Sequence, residues 1–270
     1  MYPQSQTVTI DSPKAPDVQF TFRDGRSLWA VSGMLNSASS YFSSLLSSGF
    51  AEGEASQCKS PPSEAPPSST SNEAMDELSV SDSDDEGELD EAATLVKHSS
   101  SATPCHRIAI KDASYHTYRA VLCWMTSGFI AFTPLTSTFP STPLLAPFAA
   151  RAQFIAITHA TSPDLPLPIS PKSAFRLAEY LDLAPLKALA LAAIQADLNN
   201  ENAATELFSD TVRVYREVED VVLDYVIAHW AQVKRSKAMV EVEERLDRDC
   251  AAPGSAAVAL RLPKRLQKDV

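Results

Sequence analysis

The chain has 270 residues, of which 44% are hydrophobic, and a formal net charge of −11. This length and apolar content allow two modest cores and exclude a chain that is disordered throughout. Residues 51–104 contain 13 acids and 2 bases, so this one segment accounts for the whole net charge. The rest of the chain is nearly neutral, which excludes a uniformly acidic globule.

The first predicted elements form a β-hairpin. Val18, Phe20 and Phe22 alternate with polar residues, which is the period of a half-buried strand. Asp24-Gly25 is a strong hairpin signal because glycine adopts positive φ without steric cost. We therefore expect a second strand over residues 27–31.

Two short helices are predicted after the hairpin. Apolar residues recur there at spacings of three and four, which places them on one helical face: Met34, Leu35, Ala38, Tyr41, Phe42 and Leu45. Serines at positions 37–40 predict a break between the helices. We interpret this face as core.

An acidic insert follows over residues 53–104. It has few bulky apolar residues to offset the entropy of ordering, so we expect it to be disordered. A strand pattern with Ile108 and Ile110 resumes directly after it, and a helix ending at Gly128 comes next. The segment is therefore predicted to be an insertion within a domain.

The C-terminal half is predicted to be helical. Residues 133–170 are rich in proline, serine and threonine and indicate a linker that is ordered only in places, with a short helix or strand near 154–157. Helices are predicted over 171–249, with Pro185 at a helix start, Asn200 as an N-cap and one long helix over 218–233. The residues after Pro185 that continue the helical period, and are expected on the core face, are Leu186, Leu189, Ala190, Ala193 and Ile194. Residues 250–270 form a small basic tail, expected to be solvated.

These elements in this order resemble a BTB (POZ) domain of the fungal type. The resemblance rests on DVQFTFRDGRSLWAVSGMLNSASSYFSSLLSSGFAE (residues 17–52) and on IAIKDASYHTYRAVLCWMTSGFIAF (108–132). It implies an α+β fold in which a small mixed sheet is flanked by helices over residues 17–132, after an N-terminal segment of residues 1–16. It also implies binding and assembly as the function.

The region after residue 170 resembles the helical pair of cullin-binding BTB proteins of the speckle-type POZ group, called the 3-box or the start of a BACK domain. The candidate residues of this pair are Leu198, Asn202 and Leu207. In these proteins an apolar-x-acid triplet follows the second helix, and Phe50 and Glu52 stand at that position. The resemblance implies that Phe50 fills a cullin pocket and that Glu52 accepts hydrogen bonds at its rim.

Two functions remain open at this point. The first is an adaptor that recruits a cullin-type ubiquitin ligase scaffold through Phe50 and Glu52. The second is a homo- or hetero-oligomerisation scaffold, or a transcriptional cofactor, that uses the same fold without a cullin. A residue such as Phe50 serves equally well as the last core residue of its helix.

The sequence argues against an enzyme. None of the seven glycines lies in a phosphate-binding loop, and no nucleophile elbow or HExxH pair occurs. We therefore expect no catalytic residue, cofactor, metal, small-molecule substrate or nucleic-acid partner. His229 is expected to be a helix-face or core residue.

The cysteines and the hydropathy predict a location. Cys58, Cys105, Cys123 and Cys250 lack paired CxxC spacing, no signal peptide is recognised, and no apolar run approaches a membrane span. We expect reduced thiols and a cytoplasmic or nuclear protein, or both.

The acidic insert carries candidate phosphorylation sites. Three serines each have an acid three residues on, a pattern that acidophilic kinases prefer: Ser79, Ser81 and Ser83. Each phosphate adds about −1.5 to −2 charge. Because the insert follows Glu52, phosphorylation is predicted to tune partner access at Phe50; the alternative is an inert solubilising linker.

Overall fold

The computed structural model describes residues 15–47, 55–56, 105–139 and 147–247. They separate into two compact units, divided at Lys111 and Asp112. The first contains the described residues up to 111, and the second contains those from 112 onward. The predicted domain over 17–132 thus includes the first unit and the start of the second.

The first unit is built on a small mixed sheet. Its strands are β1 (Val18–Phe22), β2 (Ser27–Ala30), β3 (Ala55–Ser56) and β4 (Cys105–Ile110), in the order β2-β1-β4-β3. β1 is antiparallel to β2 and parallel to β4, and β3 is antiparallel to β4. The predicted alternation in β1 is confirmed, because Val18, Phe20 and Phe22 are buried.

The predicted turn between β1 and β2 is also confirmed. Gly25 has φ of 83°, and its amide donates to the carbonyl oxygen of Phe22. The Asp24 carboxylate accepts hydrogen bonds from the backbone N and the Nε of Arg26, at 2.8 and 2.6 Å. Partial burial alone raises the pKa of Asp24, but the hydrogen bonds and positive charge of Arg26 outweigh it and hold the pKa below its ordinary value.

Two helices cover one face of this sheet. They are α1 (Ser32–Ala38) and α2 (Ser40–Ser47), and the extended backbone of Ser39 separates them, as the serines predicted. Leu35 and Phe42 are fully buried, and the Phe42 ring meets the edge of Phe20 at 5.8 Å between centroids. The other four residues of the predicted face are only half-buried, so two anchors carry most of this packing.

The second unit is helical. Its first helix, α3 (Tyr115–Ser127), begins at Ser114, whose hydroxyl accepts from the amide of Thr117 at 3.2 Å. It ends at Gly128 in the left-handed conformation, φ 73°, as predicted. Residues Thr136–Thr138 form a short 3-10 turn.

The predicted linker holds a full helix, α4 (Pro147–Thr161). The prediction of a short element near 154–157 was therefore too small. The proline and serine signal belongs to the flanks of this segment. Between Pro147 and Pro163 the chain has no proline and contains five alanines, which favour the helix.

Seven further helices follow within the described residues up to 247. They are α5 (Pro171–Tyr180), α6 (Ala184–Asp197), α7 (Ala203–Leu207), α8 (Asp210–Val214), α9 (Arg216–Ala228), α10 (Trp230–Val233) and α11 (Lys237–Asp247). Their core is continuous and includes Phe175, Ala190, Ile194, Leu207, Val218, Val222, Val226, Val233 and Met239. Pro185 lies in the first turn of α6, as predicted.

The structure corrects two details of this region. α7 begins at Ala203, and its N-cap is Asn202 rather than the predicted Asn200. The Asn199 Oδ1 accepts from the amides of Glu201 and Asn202 at 2.9 and 3.0 Å in the turn before the helix. The predicted long helix over 218–233 is broken at His229. No proline or glycine marks that break in the sequence.

Leu189 is a further difference, on the outer side of α6. It was expected on the core face, but 48% of its surface is exposed. The buried positions of α6 are Leu186, Ala190 and Ile194, spaced four apart. A residue three positions after Leu186 lies on the opposite flank of such a stripe, which explains the exposure.

Candidate protein-interaction site

The predicted triplet lies in the connection between α2 and β3. Phe50 and Glu52 are outside the described residues, which end at Ser47 and resume at Ala55. α2 ends at Ser47 and β3 pairs at the edge of the sheet. Both candidate side chains therefore belong to a seven-residue connection, 48–54, between a helix end and an edge strand.

The predicted phosphorylation sites belong to the longer connection between β3 and β4. Ser79, Ser81 and Ser83 are outside the described residues, as is the rest of the predicted insert apart from Ala55–Ser56. Those two residues are paired in a strand, which places the start of the insert in the sheet. Ser56 and Cys105 are partners across the β3–β4 ladder. The connection 57–104 thus leaves and re-enters the sheet at neighbouring positions.

The helical-pair candidates meet at the junction of α6 and α7. Leu198, Asn202 and Leu207 are all buried, with at most 7% of each surface exposed. The side-chain Nδ2 of Asn202 donates to the backbone carbonyl oxygen of Asp197 at 2.9 Å and to Thr138 Oγ1 at 3.1 Å. All three residues therefore contribute to packing in the described structure.

A buried ion pair beside this junction was not predicted from the sequence. Lys172 Nζ lies 2.8 Å from Glu206 Oε2, and the two side chains are 5% and 3% exposed. The Ser137 hydroxyl donates to the other Glu206 oxygen. We call Lys172, Glu206 and Ser137 the Glu206 cluster. The burial of Lys172 and Glu206 distinguishes them from ordinary surface charges, and the sequence does not report that a charged residue is buried.

The Glu206 cluster joins Ser137 to α5 and α7, and two further contacts hold the segment 132–138. A backbone bridge pairs Phe132 with Ile169, and the Leu135 amide donates to the Asp197 carboxylate at 2.9 Å. Removing one charge of a buried pair leaves the other without compensation, at a cost of about 3–5 kcal/mol. Because the paired charges satisfy each other, this arrangement supports stability rather than ligand binding.

A second, more exposed ion cluster joins α5, α6 and α9. Lys187 Nζ lies 2.5 Å from Glu179 and 2.9 Å from Glu217, and 5.4 Å from the centre of the Phe175 ring. The hydrogen bond to Glu179, with a further one to Glu217, raises the pKa of Lys187. Both carboxylates are about half exposed, so solvent screens this cluster.

Several large apolar side chains are exposed on two helices of the second unit. On α4, Phe154 and Ile157 are 39% and 61% exposed, and on α6 Leu189 is 48% exposed. The outward residues around them are mainly alanines, and neither helix has an exposed charged residue at its centre. Each of the two helices therefore presents an outer side that is apolar and poor in charge.

The described residues show no sign of a metal site. They contain no group of three or more His, Cys, Asp or Glu side chains that could hold a metal ion. His229 is half-buried at the end of α9, where its ring stacks on Tyr225 at 4.2 Å and its Nδ1 lies 3.0 Å from the Tyr225 carbonyl oxygen. His229 thus packs against α9, but it lies at the break before α10 and not within one continuous helix as expected.

Among the described helices, none combines the length and the apolar character needed to cross a bilayer. Cys105 is buried and Cys123 is half-buried, both as thiols.

No protein-family model matches the chain, and no curated protein sequence matches it.

Proposed function

We propose that this protein is an interaction module with a BTB/POZ-type fold, and that it recruits a cullin-type ubiquitin ligase scaffold through Phe50 and Glu52. The order of elements in the first unit supports this proposal. A hairpin, two short helices and a later strand follow one another in the order on which the BTB resemblance rests, and that strand pairs with β1. The helices over 171–247 follow as the 3-box or BACK resemblance requires.

The observation that carries the proposal is the position of the triplet. It begins three residues after α2 ends, where cullin-recruiting BTB proteins carry their apolar-x-acid triplet. A connection between a helix end and an edge strand is a surface position in most folds. An aromatic anchor with a neighbouring carboxylate in such a place fits the pattern of an interface hot spot.

Co-purification with the N-terminal domain of the BTB-binding cullin tests the proposal. The full chain is expected to co-elute with that domain on a sizing column with light scattering. The double variant Phe50→Ala/Glu52→Ala is expected to lose co-elution while keeping its own elution volume. Loss of an aromatic hot spot typically weakens binding by about 30-fold or more.

A matched control removes an aromatic ring and a carboxylate elsewhere. Phe129→Ala/Glu201→Ala does so at two exposed positions of the second unit, and this variant should co-elute like the wild type. If the wild type does not co-elute with the cullin domain, or if both double variants bind equally well, the adaptor proposal fails.

Self-association is the second candidate function. The observation that favours it is the charge-poor outer side of α4, where Phe154 and Ile157 are exposed three residues apart; Leu189 is exposed on α6. An apolar surface of this kind pairs with a second copy without opposing charges. A dimer mass in light scattering that reverts to a monomer in Ile157→Asp would identify the chain as an assembly module.

A further inference from the structure

Trp29, Gln19 and Arg107 form a row of side chains on the outer face of the sheet, and the proposed function does not involve them. In the strand register Gln19 is the partner of Trp29 on β2 and of Arg107 on β4. All three alternate with the buried residues of their strands, so they lie on the face opposite the core. With strands about 4.8 Å apart, Trp29 and Arg107 are about 10 Å from each other.

This row is accessible to solvent. Trp29 is 38% exposed and Arg107 is exposed, while Gln19 between them is half-buried. The Arg107 Nε donates to Gln19 Oε1 at 3.3 Å, which holds the guanidinium over the sheet. The next row along the strands consists of the small residues Ser27, Thr21 and Ala109, so a flat area lies beside the tryptophan. Cys105 on β4, which is buried, marks the other limit of this area.

Among the described residues of the first unit, basic side chains outnumber acidic ones. The described residues of the first unit contain four bases and two acids: Arg23, Arg26, Arg107 and Lys111 against Asp17 and Asp24. Asp24 is engaged by Arg26, and the Asp17 carboxylate accepts from the amide and hydroxyl of Ser32, each at 2.6 Å. Arg23 and Lys111, both exposed, directly follow the parallel strands β1 and β4, so their charges lie at the same end of the sheet.

We infer that the Trp29, Gln19 and Arg107 face binds an extended acidic segment of a partner protein that also carries an aromatic residue. A guanidinium pairs with a carboxylate in a forked geometry, and an exposed indole offers area for an aromatic ring. Tryptophan and arginine are the residue types most enriched at interface hot spots. The inference does not depend on the cullin proposal, because Phe50 and Glu52 take no part in it.

The spacing on the face defines a suitable probe. In an extended peptide, residues two apart lie on the same side and are about 7 Å apart, and the length of the Arg107 side chain covers the remaining distance. The probe is a fluorescein-labelled peptide with three repeats of Ser-Phe-Ser-Glu. A second peptide, with lysine in place of each glutamate, has the same length and aromatic content.

Fluorescence anisotropy with the full chain measures binding. We expect the glutamate peptide to bind, and the lysine peptide to bind at least tenfold more weakly. Trp29→Thr, which keeps a good strand former, and Arg107→Ala should each weaken binding of the glutamate peptide by at least about tenfold. Tyr180→Ala and Arg235→Ala, at exposed positions of the second unit, should stay within about twofold of the wild type.

A second measurement avoids substitutions on the face. With Trp124 and Trp230 replaced by Phe, Trp29 is the only tryptophan of the chain, and its emission should change as the glutamate peptide is added. Equal binding of both peptides, unchanged Trp29 emission, or no effect of Trp29→Thr and Arg107→Ala would overturn the inference. So would binding that appears only after residues 57–104 are removed, because the acidic segment of the chain itself would then be the occupant.

Discussion

Replacing residues 57–104 with the dipeptide Asn-Gly should stabilise the first unit. Ser56 and Cys105 are partners in the β3–β4 ladder, so a two-residue turn can join them directly, and Asn-Gly suits such a turn. Loop-closure entropy scales as about 1.5 RT ln n. Shortening the loop from 48 residues to two therefore gains at most about 3 kcal/mol. The replacement also removes 11 acids and 2 bases, which changes the formal net charge from −11 to −2.

Urea unfolding followed by Trp29 fluorescence, with Trp124 and Trp230 replaced by Phe, reports on the first unit alone. A gain of about 3 kcal/mol raises the midpoint by about 1 to 3 M. As a control, a Gly/Ser segment of 48 residues in place of 57–104 should leave the midpoint close to that of the wild type. A lower midpoint in the Asn-Gly variant would refute the reasoning, because the segment would then contribute folded structure of its own.

Three further predictions follow from the contacts and the charges. Glu206→Gln should destabilise the second unit by about 3–5 kcal/mol, because it leaves the buried Lys172 charge without its partner. Urea unfolding followed by circular dichroism measures this loss, and adding Lys172→Met should recover at least half of it. An unchanged unfolding midpoint in the single variant would contradict the role of the pair. Folding lowers the pKa of Asp24, so its contribution to the free energy of unfolding is present above the unfolded pKa of 3.8 and is lost as pH falls through the lower folded pKa. Asp24→Asn should therefore flatten the dependence of the free energy of unfolding on pH below about pH 4. The same pH dependence in the variant and the wild type would argue against this. Phosphorylation by an acidophilic kinase should change the affinity of the wild type for the cullin domain, and the variant with alanine at Ser79, Ser81 and Ser83 should not respond. Equal affinities before and after treatment, or an equal change in the triple variant, would exclude phosphorylation as a control of partner access.

Local signals allowed much of the fold to be predicted from the sequence. The Asp24-Gly25 turn, the break near Ser39 and the helix end at Gly128 each depend on the backbone preference of one or two residues, and each was correct. The prediction of which α6 residues are buried was correct at Leu186 but wrong at Leu189, because helical spacing does not tell how wide the buried face of a helix is.

The rest depends on contacts between distant residues. Asp17 holds the start of α1 from 15 residues away through the Ser32 amide and hydroxyl, and no local pattern predicts such a contact. The pairing of Lys172 with Glu206 likewise requires α5 and α7 to be in place. For the triplet at Phe50 and Glu52, the motif is visible in the sequence, but its residues lie outside the described structure.

The parallel pairing of β1 with β4 has a consequence for synthesis of the chain. Gln19 and Arg107 are 88 residues apart, and ribosomes add about 5–20 residues per second. For roughly 4 to 18 s the β1–β2 hairpin is therefore outside or leaving the ribosome without the strand that completes its sheet. Its edge and the apolar side chains of Val18, Phe20 and Phe22 are open to wrong partners in that interval. The strongly acidic stretch emerges during the same interval, and its charge repels other nascent copies until β4 arrives.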